Sequence, residues 1–379
     1  MASLYLHIPY CEKKCIYCDF YSIENMETME QFLRALENEI ATYAKKYSGG
    51  ETFETIFFGG GTPSLLPPAV LGRLIEALHR EYRIEPEAEI TVETNPGTVD
   101  LAKLRAYRKL GVNRLSIGIQ SFHEDELKFL SRIHTSDEAR RCVGDAHEAG
   151  FENISADLIF SLPHQTPERW RMNVEQALEL RPTHLSAYSL IVEEHTPLFA
   201  MVKEGSVSTL PEETDSQMYE ETIAMMTESG FHHYEVSNYA RPGYECRHNK
   251  NYWNHSNYLS FGPSAHSFWK DGPTEGRRWW NVRSIAQYCE NVTGGTLPVS
   301  GSEILDRAKM FNEAIFLGLR TGELNVEMLR RVYGVDLLST KRDALTEFSL
   351  EGLLQIDDRR VTLTRKGFLV CDAIAESLI

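Results

Sequence analysis

Short apolar segments alternate with longer amphipathic segments over the first half of the chain. The short segments have the composition of buried strands. They cover residues 4–8, 55–58, 89–93, 114–118, 154–158 and 185–189. The longer segments have the spacing of amphipathic helices. They cover residues 27–47, 69–81, 100–110, 136–149 and 167–180. One helix is therefore predicted between each pair of successive strands.

This β-α-β order predicts an α/β fold with a parallel sheet that is covered by helices. Gly111 and Gly150 support the boundaries, because each follows a predicted helix and precedes a predicted strand. Six strands with their helices are fewer than the eight of a complete TIM barrel. We therefore predict a partial (β/α)6 barrel of the TIM type.

The pattern changes after about residue 192. Residues 193–215 are acidic and contain prolines, which indicates a loop, and a helix is predicted over 213–229. From residue 301, three helical stretches precede LLQIDDRRVTLT, in which IDDRR is typical of a hairpin turn, and a last helix follows. These additional α+β elements end in a module that we predict to be winged-helix-like. We divide the chain into a core, an extension and a C-terminal module, at residues 1–192, 193–300 and 301–379.

Composition and charge narrow the classes of function. The 379 residues carry a formal net charge of −16, which disfavours nucleic-acid binding because that needs a basic surface. Three of the seven cysteines fall within eight residues and four are scattered, which is not the pattern of a disulfide framework. No signal peptide is visible, nor an apolar run of about 20 residues. We therefore expect a cytoplasmic protein without a membrane anchor of its own.

Three cysteines, Cys11, Cys15 and Cys18, follow directly on the first predicted strand. Thiolates bind iron–sulfur clusters, and a [4Fe–4S] cluster normally takes four of them. With three thiolates, one iron keeps an exchangeable position, as open catalytic metal sites do. An amino group and a carboxylate together can chelate that iron, and the methionine end of S-adenosylmethionine carries both. The triplet therefore predicts a cluster that binds this nucleotide.

A structural zinc site is the alternative on the residues alone. It would need a fourth ligand, for which His7 or Cys246 is available. The triplet lacks the paired C-x2-C layout of structural zinc modules, so we favour the cluster.

Polar or glycine residues stand at the carboxyl end of every predicted strand, where parallel barrels carry their functional groups. After the cysteine loop they are the glycines 59–61 with Thr62, then Glu93, Gln120, Asp157 and the segment 188–191. Glycines let a ligand approach the backbone, and the carboxylates and the amide can bind its polar groups. Considered alone, the glycine run could form a simple turn, and Asp157 could cap a helix or a loop. Together they predict one binding site.

These features together resemble the radical S-adenosylmethionine (radical SAM) superfamily. The resemblance is carried by HIPYCEKKCIYCDF, FFGGGTPSLL, VETNP, RLSIGIQSF and DLIFSLPHQT, which match the branch around oxygen-independent coproporphyrinogen III oxidase. It covers nearly the whole chain, including the C-terminal module. It implies a [4Fe–4S] cluster and S-adenosylmethionine as cofactors.

The resemblance also implies which residues line the S-adenosylmethionine site. They are Tyr5, Tyr17, Gly60, Gly61, Thr62, Glu93, Gln120, Arg132 and Asp157. Ile191 and His266 are added at positions where the local spacing matches less closely. On sequence grounds alone, Tyr5 and Tyr17 also fit as core aromatics.

Two details within that branch favour the heme chaperones over the oxidases. The oxidase pattern has a further cysteine two residues after the triplet, and here that position is Phe20. Residues 248–253 read HNKNYW, which is similar to the HNxxYW signature of the chaperones. The resemblance thus implies a radical SAM protein that binds heme and passes it to an acceptor protein. Oxidative decarboxylation of coproporphyrinogen III by a 5′-deoxyadenosyl radical is the alternative.

The segment with this signature carries His248, His255 and His266 among aromatic residues. Heme needs an apolar slot and usually an axial His, Cys, Met or Tyr ligand. We expect His248 to be the axial ligand, with Cys246 as the next choice and Arg247 as a partner for a propionate. The alternative is that His248 is a core histidine whose hydrogen bonds are all made within the protein. The acceptor protein and the electron donor are not encoded in any motif.

Overall fold

The computed structural model describes residues 2–379, and its centre is a run of six parallel strands. The strands are β1 (Ala2–Ile8), β2 (Phe53–Gly60), β3 (Ile84–Thr94), β4 (Arg114–Gln120), β5 (Asn153–Phe160) and β6 (His184–Ser189). Each strand pairs in parallel with the next, from β1 to β6. The predicted α/β class and strand order are therefore confirmed.

Helices connect these strands, as the pattern predicts. They are α1 (Met29–Tyr47), α2 (Pro68–Glu81), α3 (Leu101–Lys109), α4 (Glu124–Phe129), α5 (Ser136–Glu148) and α6 (Pro167–Glu179). Their starts follow from capping, since Thr135 forms a reciprocal capping box with Glu138, and Thr166 accepts from the backbone of Arg169. The short α4 was not predicted, because six residues are too few to show helical periodicity.

The extension continues the same sheet on both of its edges. Its elements are α7 (Pro197–Lys203), α8 (Glu212–Glu228), β7 (His232–Glu235), β8 (Asn238–Ala240), α9 (Arg247–Trp253), β9 (Asn257–Phe261), β10 (His266–Gly272), β11 (Glu275–Asn281), α10 (Ile285–Thr293) and β12 (Val299–Leu305). The twelve strands lie in the order β12-β11-β10-β9-β1-β2-β3-β4-β5-β6-β8-β7. The prediction of a loop throughout 193–215 is wrong, because Thr196 caps α7 and proline occupies its first turn.

The C-terminal module has its own hydrophobic core. Its elements are α11 (Arg307–Arg320), β13 (Glu323–Asn325), α12 (Val326–Tyr333), α13 (Leu337–Thr340), α14 (Arg342–Leu350), β14 (Leu354–Ile356), β15 (Arg360–Leu363), α15 (Arg365–Leu369) and α16 (Cys371–Leu378). The predicted hairpin is confirmed as β14 and β15, which with β13 form a three-stranded antiparallel sheet. The winged-helix likeness and the three-part division of the chain remain predictions.

The buried carboxylate of Glu39 joins α1 to the added strands. It accepts hydrogen bonds from the backbone of Gly262 (2.8 Å), the side-chain amide of Asn281 (2.7 Å) and the hydroxyl of Tyr288 (2.6 Å). Burial raises the pKa of Glu39 to about 7, and these three donors oppose that shift. The helix, the turn after β9, the end of β11 and α10 thus meet at one side chain.

We predict that Glu39→Ala lowers the free energy of unfolding by about 3 kcal/mol or more, because it leaves three buried donors without an acceptor. Urea denaturation measures the change. Glu30→Ala is the matched control on the same helix, where the side chain is largely exposed, and its effect should stay within about 0.5 kcal/mol. Equal losses for the two variants would contradict the proposed role of Glu39.

Candidate functional site

A cavity of about 860 Å³ opens at the carboxyl ends of the parallel strands. This volume lies in the upper part of the range for small-molecule sites, about 300–1,000 Å³. The cysteine loop, the ends of β2 to β6 and part of the C-terminal module form its lining. The cavity therefore has the location that the sequence predicts for the binding site.

The cysteine loop is held in place by backbone hydrogen bonds. The N–H of Cys11 donates to the carbonyl of Ile23 (3.0 Å), and the N–H of Ile23 donates to that of Pro9 (2.9 Å). The first turn of α7 adds another bond, from the N–H of Leu198 to the carbonyl of Ile16 (3.0 Å). The three thiols are thus presented on a fixed loop at one wall of the cavity.

Each thiol of the triplet has a distinct surrounding. The hydroxyl of Thr62 donates to the sulfur of Cys11 (3.5 Å), and Nη1 of Arg132 donates to the sulfur of Cys15 (3.6 Å). Burial raises the pKa of the Cys18 thiol to about 11. A metal that binds this sulfur must displace a proton. Hydrogen-bond donors and a cation near the sulfurs suit thiolates that carry negative charge.

A zinc ion and an iron–sulfur cluster require different arrangements of their ligands. Within residues 2–379, no three His, Cys, Asp or Glu side chains converge on one point as ligands of a single metal ion. A tetrahedral zinc site requires such convergence. An iron–sulfur cubane does not, because each thiolate binds a different iron atom.

The glycine loop after β2 lies directly against the start of the cysteine loop. The N–H of Gly61 donates to the carbonyl of Ile8 (2.8 Å), and the N–H of Thr62 donates to that of Tyr10 (2.7 Å). A Cβ atom on Gly61 would come within 2.6 Å of the Tyr10 carbonyl oxygen. Glycine is therefore required at this position for the two loops to meet.

Two buried carboxyl groups face the cavity below the glycine loop. Glu93 accepts from the N–H of Gly60 (3.1 Å), and burial together with the nearby charge of Asp157 raises its pKa to about 8. Asp157 accepts from the hydroxyls of Ser116 (2.7 Å) and Ser155 (2.6 Å), while burial raises its pKa. Such a pair favours a ligand that brings positive charge or hydroxyl donors, as a sulfonium nucleotide does.

Gln120 and Arg132 complete the rim on the side of β4. Gln120 has a φ of +68°, and the pairing of β4 with β5 shifts register at this point. This strained conformation occurs at the cavity, where functional residues often carry it. Nη2 of Arg132 donates to the side-chain oxygen of Asn95 (2.7 Å) and to the carbonyl of Gly118 (2.9 Å). Arg132 is thus fixed beside the cysteine loop.

The structure brings together most of the residues that the resemblance implies for S-adenosylmethionine. The cavity is lined by Tyr17, Gly60, Gly61, Thr62, Glu93, Gln120, Arg132 and Asp157. Ile191 also lines it. Tyr5 is outside this lining and is hydrogen-bonded through its hydroxyl to His7 (3.3 Å). His266 is also outside it, on β10. The ligand roles themselves remain predictions.

Sequence reasoning missed an inward-facing row on β4. Arg114 and Ser116 line the cavity, whereas Leu115 and Ile117, which alternate with them along the strand, are fully buried in the hydrophobic core. Two nitrogens of the Arg114 guanidinium, Nε and Nη1, have no hydrogen-bond partner within residues 2–379. The alternation of polar and apolar residues in RLSIGIQ was the signal that could have identified this row.

The C-terminal module supplies another unpredicted wall. Arg320, Phe368, Leu369 and Asp372 line the cavity, and Nη2 of Arg320 donates to both carboxylate oxygens of Asp372 (2.8 Å each). No local motif indicates this contact, because it depends on how the module packs against the barrel.

The helix α9, which carries HNKNYW, packs against the opposite end of the barrel strands. Its first two backbone N–H groups, of Arg247 and His248, donate to the carboxylate of Glu89 (3.2 Å each). The amide of Asn251 donates to the hydroxyl of Ser3 (2.8 Å). Glu89 and Ser3 lie near the amino ends of the parallel strands, so α9 closes the floor of the barrel.

His248 lies on α9 and packs against the rings of Phe57 and Tyr252, with ring centroids 4.9 Å apart in each pair. Its side chain is hydrogen-bonded through Nδ1 to Thr55 (2.7 Å) and through Nε2 to Tyr252 (3.0 Å). The residue is 1% exposed and is not part of the cavity lining. Both ring nitrogens are engaged in these hydrogen bonds, as in the core histidine that is the alternative. The role of His248 as an axial ligand remains a prediction.

The other residues proposed for heme binding in this segment are also engaged. The buried thiol of Cys246 donates to Glu89 (3.6 Å). Arg247 forms ion pairs with Glu54 (3.2 Å) and Glu85 (3.4 Å). The contact of Arg247 with a propionate remains a prediction.

We predict that Gly61→Ala weakens the binding of S-adenosylmethionine by about 10- to 100-fold, because it separates the glycine loop from the cysteine loop. Equilibrium dialysis with the reconstituted protein measures the affinity. Gly144→Ala is the control, since a Cβ atom there meets nothing within 4 Å and should leave the affinity unchanged. Wild-type affinity in Gly61→Ala would show that close approach of the two loops is not required.

We predict that His248→Ala lowers the free energy of unfolding by about 2–4 kcal/mol, because it removes a buried ring and two hydrogen bonds. The Soret band of the heme-loaded variant should match that of the wild type. His79→Ala, at an exposed position, is the control for stability. A shifted Soret band in a folded His248→Ala protein would instead support the axial ligand predicted from the sequence.

Comparisons with known proteins agree with this geometry. The Radical SAM superfamily profile matches residues 5–177, and the HemN C-terminal domain profile matches residues 305–370. In the solved structure of coproporphyrinogen III oxidase (HemN) from Escherichia coli, described as a radical SAM enzyme, 25% of aligned residues are identical. The alignment has a TM-score of 0.84 and covers 100% of this chain and 89% of that one.

Curated relatives align over most of the chain. Heme chaperone HemW of Bacillus subtilis is 36% identical over 375 residues, which cover 98% of this chain and 97% of that protein. Heme chaperone HemW of Escherichia coli K12 is 40% identical over 272 residues, covering 70% of this chain and 69% of that protein. The chain therefore belongs to the HemW family of radical SAM proteins.

Proposed function

We propose that this chain is a radical SAM heme chaperone, which binds heme and transfers it to an acceptor protein. The similarity to proteins named heme chaperone HemW over nearly the full length carries the proposal. The cavity supports it, because one wall presents three thiols and the others combine apolar with polar groups.

Within this proposal, Cys11, Cys15 and Cys18 hold a [4Fe–4S] cluster. Gly60, Glu93 and the other cavity residues of the predicted set bind S-adenosylmethionine. When bound, the reduced cluster supplies the electron that cleaves a C–S bond of the nucleotide. The glycine loop offers its backbone to the ligand, and the buried carboxyl groups orient its polar groups.

Oxygen-independent coproporphyrinogen III oxidase is the second candidate, favoured by the likeness to HemN in fold. Against it stands Phe20, which occupies the position of the additional cysteine in the oxidase pattern. A phenylalanine ring can neither bind iron nor donate a proton there. We therefore expect no decarboxylation of coproporphyrinogen III, and we expect Phe20→Cys alone not to create it.

The partners and the compartment belong to the proposal as well. The acceptor is an unidentified apo-protein, and the electron donor is an unidentified reductase or small electron carrier. All seven cysteines are unpaired thiols, which suits the reducing cytoplasm. Separately, no helix within residues 2–379 combines the length and the apolar character needed to cross a bilayer.

We predict that the reconstituted protein binds heme with a new Soret band and transfers it to apomyoglobin, used as a model acceptor. The transfer should differ with and without S-adenosylmethionine, because both ligands are proposed to use the same cavity. Absorbance titration measures uptake, and the spectrum of holo-myoglobin measures transfer.

Cys18→Ala serves as the control for the cluster, and its inorganic sulfide content should fall. Heme binding absent from the wild type would contradict the chaperone proposal. Conversion of coproporphyrinogen III to protoporphyrinogen by the wild type would establish the oxidase instead.

A further inference from the structure

An exposed apolar surface lies along the mouth of the cavity. Phe20 and Ile191 are 68% and 66% exposed, and Tyr188 is 43% exposed. All three line the cavity, although they come from the cysteine loop and from the end of β6. Large side chains that stay in water beside an open cavity indicate a surface that a ligand covers. We call Phe20, Tyr188 and Ile191 the mouth surface.

Hydrogen bonds hold in place the two segments that carry the mouth surface. Nη2 of Arg283 donates to the carboxylate of Asp19 (2.8 Å), directly before Phe20. The N–H of Phe20 is hydrogen-bonded to the sulfur of Cys18. On the other side, the N–H of Leu190 donates to the carbonyl of Phe160 (2.9 Å). The segments that carry the exposed side chains are thus kept in position, which lowers the entropy lost on ligand binding.

Two cations line the same cavity as the mouth surface. They are Lys13 and Lys14. Neither ammonium group has an ion-pair partner in the described part of the chain, in contrast to Arg283 and Arg320 on the same face. The mouth therefore combines an apolar surface with two free positive charges.

We propose that the mouth surface is the heme-docking site, with the macrocycle against Phe20, Tyr188 and Ile191 and the propionates toward Lys13 and Lys14. This inference rests on the proposed function and specifies where the heme lies. An iron porphyrin matches the surface because it is flat and apolar and carries two carboxylates at one edge. S-adenosylmethionine matches it poorly, since its sulfonium and ammonium groups would meet like charges at the lysines.

At this docking site Phe20 contacts the macrocycle, which a cysteine at the same position would do less well. A phenylalanine ring adds apolar area and can stack against a porphyrin. Its backbone N–H contacts a cluster cysteine, so the docked heme lies next to the cluster loop. His248 is not part of the lining of this cavity.

The test is a heme titration of the full-length, cluster-loaded chain. The double variant Phe20→Ala/Ile191→Ala should raise the Kd for heme by about 10- to 100-fold, because two apolar contacts are removed. The matched control is Ile304→Ala/Leu350→Ala, at positions that are 76% and 85% exposed and outside the cavity. It should bind heme as the wild type does. Sulfide content and circular dichroism check that the cluster and the fold are intact.

A second arm compares heme with its dimethyl ester, which lacks the propionate charges. Lys13→Gln/Lys14→Gln should weaken the binding of heme but leave that of the ester unchanged. Equal weakening of both ligands would overturn the assignment of the propionates.

The outcomes separate this inference from the proposed function. A wild type that binds no heme contradicts the chaperone proposal itself. A wild type that binds heme as tightly as Phe20→Ala/Ile191→Ala overturns the mouth site alone. If that variant binds heme normally but transfers it slowly, the mouth surface instead contacts the acceptor, and the docking inference is likewise overturned.

Discussion

The site depends on the close approach of two backbone loops at the carboxyl ends of β1 and β2. Hydrogen bonds from Gly61 to Ile8 and from Thr62 to Tyr10 join the loops directly. The contact is possible because Gly61 has no side chain, while the parallel pairing of β1 with β2 sets the register. Once these loops meet, the cysteines and the backbone of the glycine loop line one cavity together.

Much of the barrel and its site could be predicted from the sequence, because the pattern of apolar and polar residues within each segment indicates its secondary structure. Strands with near-continuous apolar character alternate with amphipathic helices, and a parallel sheet follows from that order. Since parallel strands end on the same side, residues as distant in sequence as Cys11, Glu93 and Asp157 could be assigned to one cavity. Their side chains do line it.

The parts that could not be predicted depend on contacts between distant segments. β9 pairs in parallel with β1, although more than 200 residues separate them. His248 is predicted as a ligand because its motif is similar to the chaperone signature. That motif does not show that Glu89, 159 residues away in sequence, accepts from the start of its helix. Tyr5 similarly lies inside the barrel against His7 rather than in the cavity lining. Tertiary packing decides which polar groups pair with each other in the interior. The local periodicity of the sequence does not predict these pairs.

The wall that the C-terminal module contributes has a consequence for biosynthesis. Domains form in order as a chain leaves the ribosome, with the N-terminal part first. Arg320 and Phe368 emerge later than the cysteine loop, because they follow it in the chain. A nascent chain thus exposes the thiols of the cysteine loop while one side of the cavity is still missing. Iron–sulfur insertion and enclosure of the cavity are therefore separable in time, and the open interval gives assembly factors access to the thiols.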